Sequence, residues 1–129
     1  MFTLEQIKAA HAKVKTGADF PKYIQNLIKL GVEHYNAFVI TGYTDYYAAD
    51  GQKVTNPSKY EELSIADQSD AEQFKSDLKA HQNGKTDYLI FCKDCAKSGI
   101  EGWTVSLSKM TCTYFDKSGN EILTEQIPS

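Results

Sequence analysis

Arginine is absent from this 129-residue chain; all fourteen basic residues are lysine, set against seventeen acids for a net charge of −3. Without the planar guanidinium fork, the chain lacks the group that reads guanine, phosphate and carboxylate in bidentate fashion. A mildly acidic domain with scattered lysines therefore excludes nucleic acid as the expected partner. No apolar run approaches the ~18 residues that span a bilayer, and Met1–Gln6 shows no basic segment leading into an apolar core. A cytoplasmic location and no membrane partner are expected. Cysteine is sparse, and the count of three fits a reducing compartment better than a disulfide framework. Also missing are G-x-S-x-G, H-E-x-x-H, the P-loop and the dinucleotide glycine pattern, so no catalytic residues and no cofactor are assigned.

Aromatic residues, by contrast, are plentiful: eight tyrosines, six phenylalanines and one tryptophan, within an apolar fraction of 41%. That composition excludes a disordered chain and suffices for one compact domain over residues 1–129. The order of these residues carries more information than their number. The stretch 19–54 lies over 87–122 without a gap at an offset of 68, with Asp19, Lys29, Gly31, Glu33, Tyr46 and Gly51 recurring as identical residues. Tyr35 falls on Trp103, Tyr47 on Phe115 and Val54 on Ile122. The fold class expected is α+β: a tandem duplication of an ααβββ unit, with an antiparallel sheet and the helices packed on one face. Residues 1–56 form the first copy, 57–68 a linker and 69–129 the second. Whether the two sets of strands merge edge to edge or pack face to face stays open.

Local signals place the elements. Thr3 and Gln6 have capping-box spacing and start a helix expected to reach about Lys15. Asp70 and Gln73 start its counterpart, expected to stop at Asn83-Gly84. Phe20, Tyr23, Ile24, Leu27 and Ile28 form an apolar stripe at helical spacing, matched by Tyr88, Phe91, Cys92, Cys95 and Ala96. Alternating strands follow Gly31 and Gly99, with Asp50-Gly51 and Ser118-Gly119 as hairpin turns.

Cys92-Lys93-Asp94-Cys95 is the conspicuous motif. A redox C-x-x-C places its first cysteine at a helix N-terminus, whereas here both fall on the core positions Ile24 and Leu27 of the first copy. Cys112 shares a strand face with Tyr114, so packing is the expected role of all three, with a zinc or thiol site the weaker alternative. Glu33 and Glu101 recur directly after the helix-closing glycines, which favours a structural bond to backbone at that junction. The outer sheet face is where the copies diverge. The first copy presents His34, Phe38, Ile40, Tyr43, Asp45 and Tyr47, and the second Gly102, Ser106, Ser108, Thr111, Thr113 and Phe115. An aromatic outer face is more than a solvated sheet requires. The leading expectation is a non-enzymatic binding module, and a homodimer, acting through His34, Phe38, Tyr43, Asp45 and Tyr47; cover by the linker is the other ordinary explanation. The alternative is a small-ligand protein or enzyme with a pocket around His34, Tyr43, Asp45 and Glu33.

The chain also resembles a small bacterial family often labelled phage envelope protein. The resemblance rests on Ala18-Asp19-Phe20-Pro21, Gly31–Tyr35, Thr44–Tyr47, Lys85–Tyr88, and the run from Ser98 to Trp103 and on through Met110–Glu121. It covers nearly the whole chain and implies an uncharacterised protein, with no catalytic residues to carry over. Nothing in the composition points to a virion surface.

Overall fold

A computed structural model describes residues 2–15, 17–57 and 60–127. The elements run α1 (Leu4–His11), a 3₁₀ turn (Gly17–Asp19), α2 (Phe20–Leu30), β1 (Val32–Phe38), β2 (Thr44–Ala48) and β3 (Lys53–Asn56). They continue with α3 (Ala71–Gln82), α4 (Tyr88–Lys97), β4 (Ile100–Ser106), β5 (Thr111–Asp116) and β6 (Glu121–Gln126). All six strands join in one antiparallel sheet of order β3-β2-β1-β4-β5-β6. The sets of strands therefore merge edge to edge, through β1 and β4.

Three of the four α-helices begin where the sequence supplies a side-chain cap, and α2 begins instead with Pro21 in its first turn. Thr3 and Gln6 form the full capping box, and the Asp70 and Asp87 carboxylates accept from Gln73 and Ile90 N–H. The first helix ends at His11 rather than near Lys15. The Asp19 carboxylate accepts the Lys15 N–H at 2.9 Å, drawing the chain into the 3₁₀ turn instead of a further helical turn. Gly31 closes α2 in the left-handed conformation, at φ 95°.

The central joint has an unusual register. Asn36 pairs with Thr104, 68 residues on, and Thr104 Oγ1 donates to Asn36 Oδ1 at 2.7 Å. Flanking bonds alternate across that point: Val39 N–H to Glu101 C=O at 2.8 Å, and Leu107 N–H to Glu33 C=O at 2.9 Å. The junction glutamates thus contribute backbone carbonyls to the joint. The Glu33 carboxylate itself lies 3.3 Å from His34 Nδ1.

Tyr35, Ala37, Tyr46, Trp103, Val105, Cys112 and Tyr114 are buried on the helix side, together with Ile24, Leu27, Phe74, Leu78, Phe91, Cys92 and Cys95. Their alternation with half-buried neighbours is the strand period of two. Beyond β3 the described linker residues run along one end of the sheet. Leu63 N–H bonds Ile40 C=O, Ala66 N–H bonds Ala96 C=O, and Lys117 Nζ meets Asp67 at 2.9 Å. The described linker residues therefore follow the sheet's end and the helix side rather than the outer face. Ile40, expected on that face, lies in the turn after β1 and packs against the core.

Candidate binding cavity

The sequence singled out the outer face, and the register sorts its residues into rows. One row crosses the whole sheet as Thr55, Asp45, Asn36, Thr104, Thr113 and Thr124. It is closed by internal hydrogen bonds, Thr55 Oγ1 to Asp45 Oδ1 at 2.7 Å among them. In the next row His34 stacks on Tyr47, centroids 4.6 Å apart and planes within 9°. In the third, Phe38 pairs with Gly102, which pairs with Phe115. Tyr43 stands apart in the β1–β2 connection, 45% exposed. Asp45, His34, Tyr47 and Phe38 are thus brought onto one surface, yet neither they nor Tyr43 line either of the two hollows described next.

The first hollow lies on the opposite face, between sheet and helices. It has a volume of about 100 Å³, with a floor that includes Tyr35, Ala37, Tyr46, Trp103 and Tyr114 and a roof that includes His11, Tyr23, Leu78, His81, Tyr88 and Phe91. Beside it opens a cleft of about 330 Å³, walled by Asn56, Tyr60, Leu89 and others. His11, Val14, Thr44 and Tyr88 belong to both walls. His11 stands edge-on to Tyr23 (5.7 Å) and to Tyr88 (5.3 Å), tying α1 to α2 and α4 at this junction.

Polar groups gather at one end. The Tyr46 hydroxyl lies 2.5 Å from that of Tyr23 and also takes hydrogen bonds from the Thr44 and Asn56 side chains. Asn56 is only 7% exposed, and its buried carbonyl oxygen has no hydrogen-bond partner among the described residues. Burial, the principal cause, pushes the Tyr46 phenol up to about 12 and those of Tyr23, Tyr35, Tyr88 and Tyr114 well above their ordinary range. These hydroxyls are neutral donors and acceptors at any physiological pH. Burial also holds the His81 imidazole below its usual value, while its Nδ1 sits 3.1 Å from Thr86 C=O.

Cys92 and Cys95 lie behind this wall, whereas Cys112 is part of it. Cys92 and Cys95 are fully buried inside α4 and Cys112 is buried on β5. Burial raises Cys92 to about 11 and Cys112 to about 12, the reverse of an activated thiolate. Among the described residues no group of three or more His, Cys, Asp or Glu side chains is placed to hold a metal ion.

His11, Tyr23, Thr44, Asn56 and Tyr88 were not foreseen as site residues. The signal that could have found them is the one applied to the outer face. On the inner face the residue 68 positions after Tyr23 is Phe91, and the one after Thr44 is Cys112. The tyrosine–threonine–asparagine cluster belongs to the first half, while His81, Gln82, Glu125 and Gln126 line the hollow from the second.

A four-helix layer over a six-stranded antiparallel sheet, enclosing an aromatic hollow, defines a small α+β domain with a built-in cavity. The chain belongs to a family described as a protein of unknown function, DUF1398, which matches residues 8–126. No curated protein matches the sequence significantly.

Proposed function

We propose that this protein binds a small molecule, without turning it over, in the aromatic hollow between sheet and helices. The observation that carries the reading is the polar cluster of Tyr23, Thr44 and Asn56 around the Tyr46 hydroxyl, set at the junction of hollow and cleft. Core packing alone is served as well by Phe91 and Cys112 at the matching positions. Hollow and cleft together fall within the ~300–1,000 Å³ typical of ligand sites. Binding without turnover fits the chemistry of the walls: the tyrosines, Cys112 and His81 are all biased toward their neutral forms. No activated nucleophile stands among them.

Ligand-detected NMR with a library of small neutral fragments tests this reading against two variants. Ala37→Leu fills the floor; Phe38→Glu alters only the outer face. Hits lost in the first and kept in the second, with both variants still unfolding cooperatively, are the expected result. Hits that survive Ala37→Leu and vanish in Phe38→Glu would move the site to the outer face.

A second reading concerns that outer face. Phe38, Phe115 and the His34–Tyr47 stack form an apolar patch that the described linker leaves open, which supports a homodimer joined sheet to sheet. The repeated backbone also supports descent of both halves from one ααβββ unit. Left-handed residues recur at Gly31 and Gly99, Gly42 and Met110, and Gly51 and Gly119. Bulges recur at Val32/His34 and Ile100/Gly102. Three buried, unbridged thiols favour a cytoplasmic setting.

A further inference from the structure

Glu125 brings a charge to the hollow. It pairs with Cys112 as Asn56 pairs with Thr44, and Cys112 lies 68 residues after Thr44. Cys112 is buried on the helix side, and residues directly opposite in a ladder share a face. The second half therefore turns a carboxylate inward where the first half turns an amide. Glu125 is half-buried and lines the hollow together with Phe91, Trp103 and Tyr114. The hydrogen bond it accepts comes from a neutral group, Gln82 Nε2, at 2.8 Å. Among the described residues no lysine lines the hollow or forms an ion pair with Glu125. We infer that the hollow takes a small organic cation, a protonated amine, with its ammonium against the Glu125 carboxylate and its apolar part among the rings. This rests on the cavity reading above and adds to it the charge of the ligand. A carboxylate turned toward apolar walls loses water without gaining an opposite charge, and an ammonium donor supplies both charge and hydrogen bond. The rings favour the same sign, because an aromatic face attracts a cation. Neighbouring groups feel the carboxylate: burial first, with the Glu125 charge a lesser cause, raises the Cys112 thiol and the Tyr114 hydroxyl. Burial also holds His81 below its usual value, so its ring supplies no countercharge at neutral pH. In the adjoining cleft Lys15 and Asp87 offset each other, and the Asp87 carboxylate is engaged as the α4 cap, accepting from Ile90 N–H at 2.9 Å. The hollow of about 100 Å³ is smaller than the ~150 Å³ that encloses a benzene, so the cation that fits is slender rather than ring-shaped.

The test titrates n-butylamine, n-butanol and butyrate at neutral pH into the isotope-labelled full chain, followed by heteronuclear NMR with the Trp103 indole as reporter in the wall. The probes share one carbon chain length and differ in charge. Butylammonium is expected to bind about tenfold more tightly than butanol, the ratio that one charge-assisted hydrogen bond supplies, and butyrate more weakly than either. Glu125→Gln keeps the side chain's shape and an acceptor for Gln82. It should bring butylammonium and butanol to equal affinity while leaving butanol unchanged. Glu121→Gln removes the same charge from an exposed position on the same strand and should preserve the preference. The order of the three affinities on the unsubstituted protein is decisive whether or not a variant folds. Equal binding of butylammonium and butanol there overturns the inference. A preference that survives Glu125→Gln, or that is lost equally in Glu121→Gln, overturns it as well. If all three probes fail while neutral fragments bind and are lost in Ala37→Leu, the ligand charge falls and the cavity stands. If no fragment of any kind binds, both fall.

Discussion

His81 illustrates how much one side chain's surroundings decide. Its ring stacks on Phe91, centroids 4.3 Å apart, and bonds to Thr86, in a buried position. Burial lowers its pKa below the ordinary 6.5 in the folded state, so the unfolded chain binds the proton more readily. Stability contributed by neutral His81 is therefore complete above about pH 6.5 and is lost as pH falls toward the folded value. Urea denaturation at a series of pH values should give a free energy that declines over that window, and His81→Gln should flatten the decline. An unchanged slope in the variant would assign the pH dependence to other groups. None of this was legible in sequence. A lone histidine on a helix gives no sign of its burial, because depth depends on Gly17. A β-carbon at Gly17 would stand 2.4 Å from the His81 carbonyl oxygen. By contrast, the demotion of Cys92 and Cys95 to packing needed only their alignment with Ile24 and Leu27, and both prove fully buried.

Among elements, the two helix-ending glycines make a controlled pair. Gly31 and Gly99 both sit at positive φ, 95° and 76°, which penalises any side chain. Around Gly31 nothing lies within 4 Å of an added β-carbon, whereas at Gly99 the Gln68 carbonyl oxygen would be 2.7 Å away. Gly31→Ala should cost about 1 kcal/mol through backbone conformation alone. Gly99→Ala should cost about 1–3 kcal/mol more, because the linker backbone must move. Urea midpoints of the two variants, compared side by side, check the difference; equal losses would mean the linker yields freely. The sequence announced both glycines as stops, since periodicity ends there. It could not announce the crowding, which comes from a segment whose path is set by bonds to Ile40, Ala96 and Ser98. For a similar reason the first helix was expected too long: the Asp19 carboxylate that redirects the chain lies beyond the periodic stretch.

At the scale of the molecule, the sheet presents one face to the helices, and no described helix packs on the other. The homodimer reading predicts a solution mass of twice 14.5 kDa by light scattering, and a single-chain mass for Phe38→Glu/Tyr47→Lys. A monomer before substitution removes that reading. Element order and the antiparallel α+β class followed from composition, caps and recurring aromatics, while the merging of the strands into one sheet was left open. Strand order did not, because the β1–β4 edge that joins the halves is fixed by contacts 68 residues apart that no local pattern records. The cavity was hidden for a different reason. Its walls are aromatic, and in sequence an inward-facing tyrosine is indistinguishable from core until the space beside it is known.

That space has a consequence for how the protein can be studied. The chain's one tryptophan, Trp103, lies in the floor of the hollow, 6% exposed and 6.3 Å from Tyr88 by ring centroids. Its emission comes from the wall of the site alone, with tyrosines close enough to pass excitation to it. Occupancy of the hollow is therefore readable as a change in native fluorescence, with no label, on the unaltered chain.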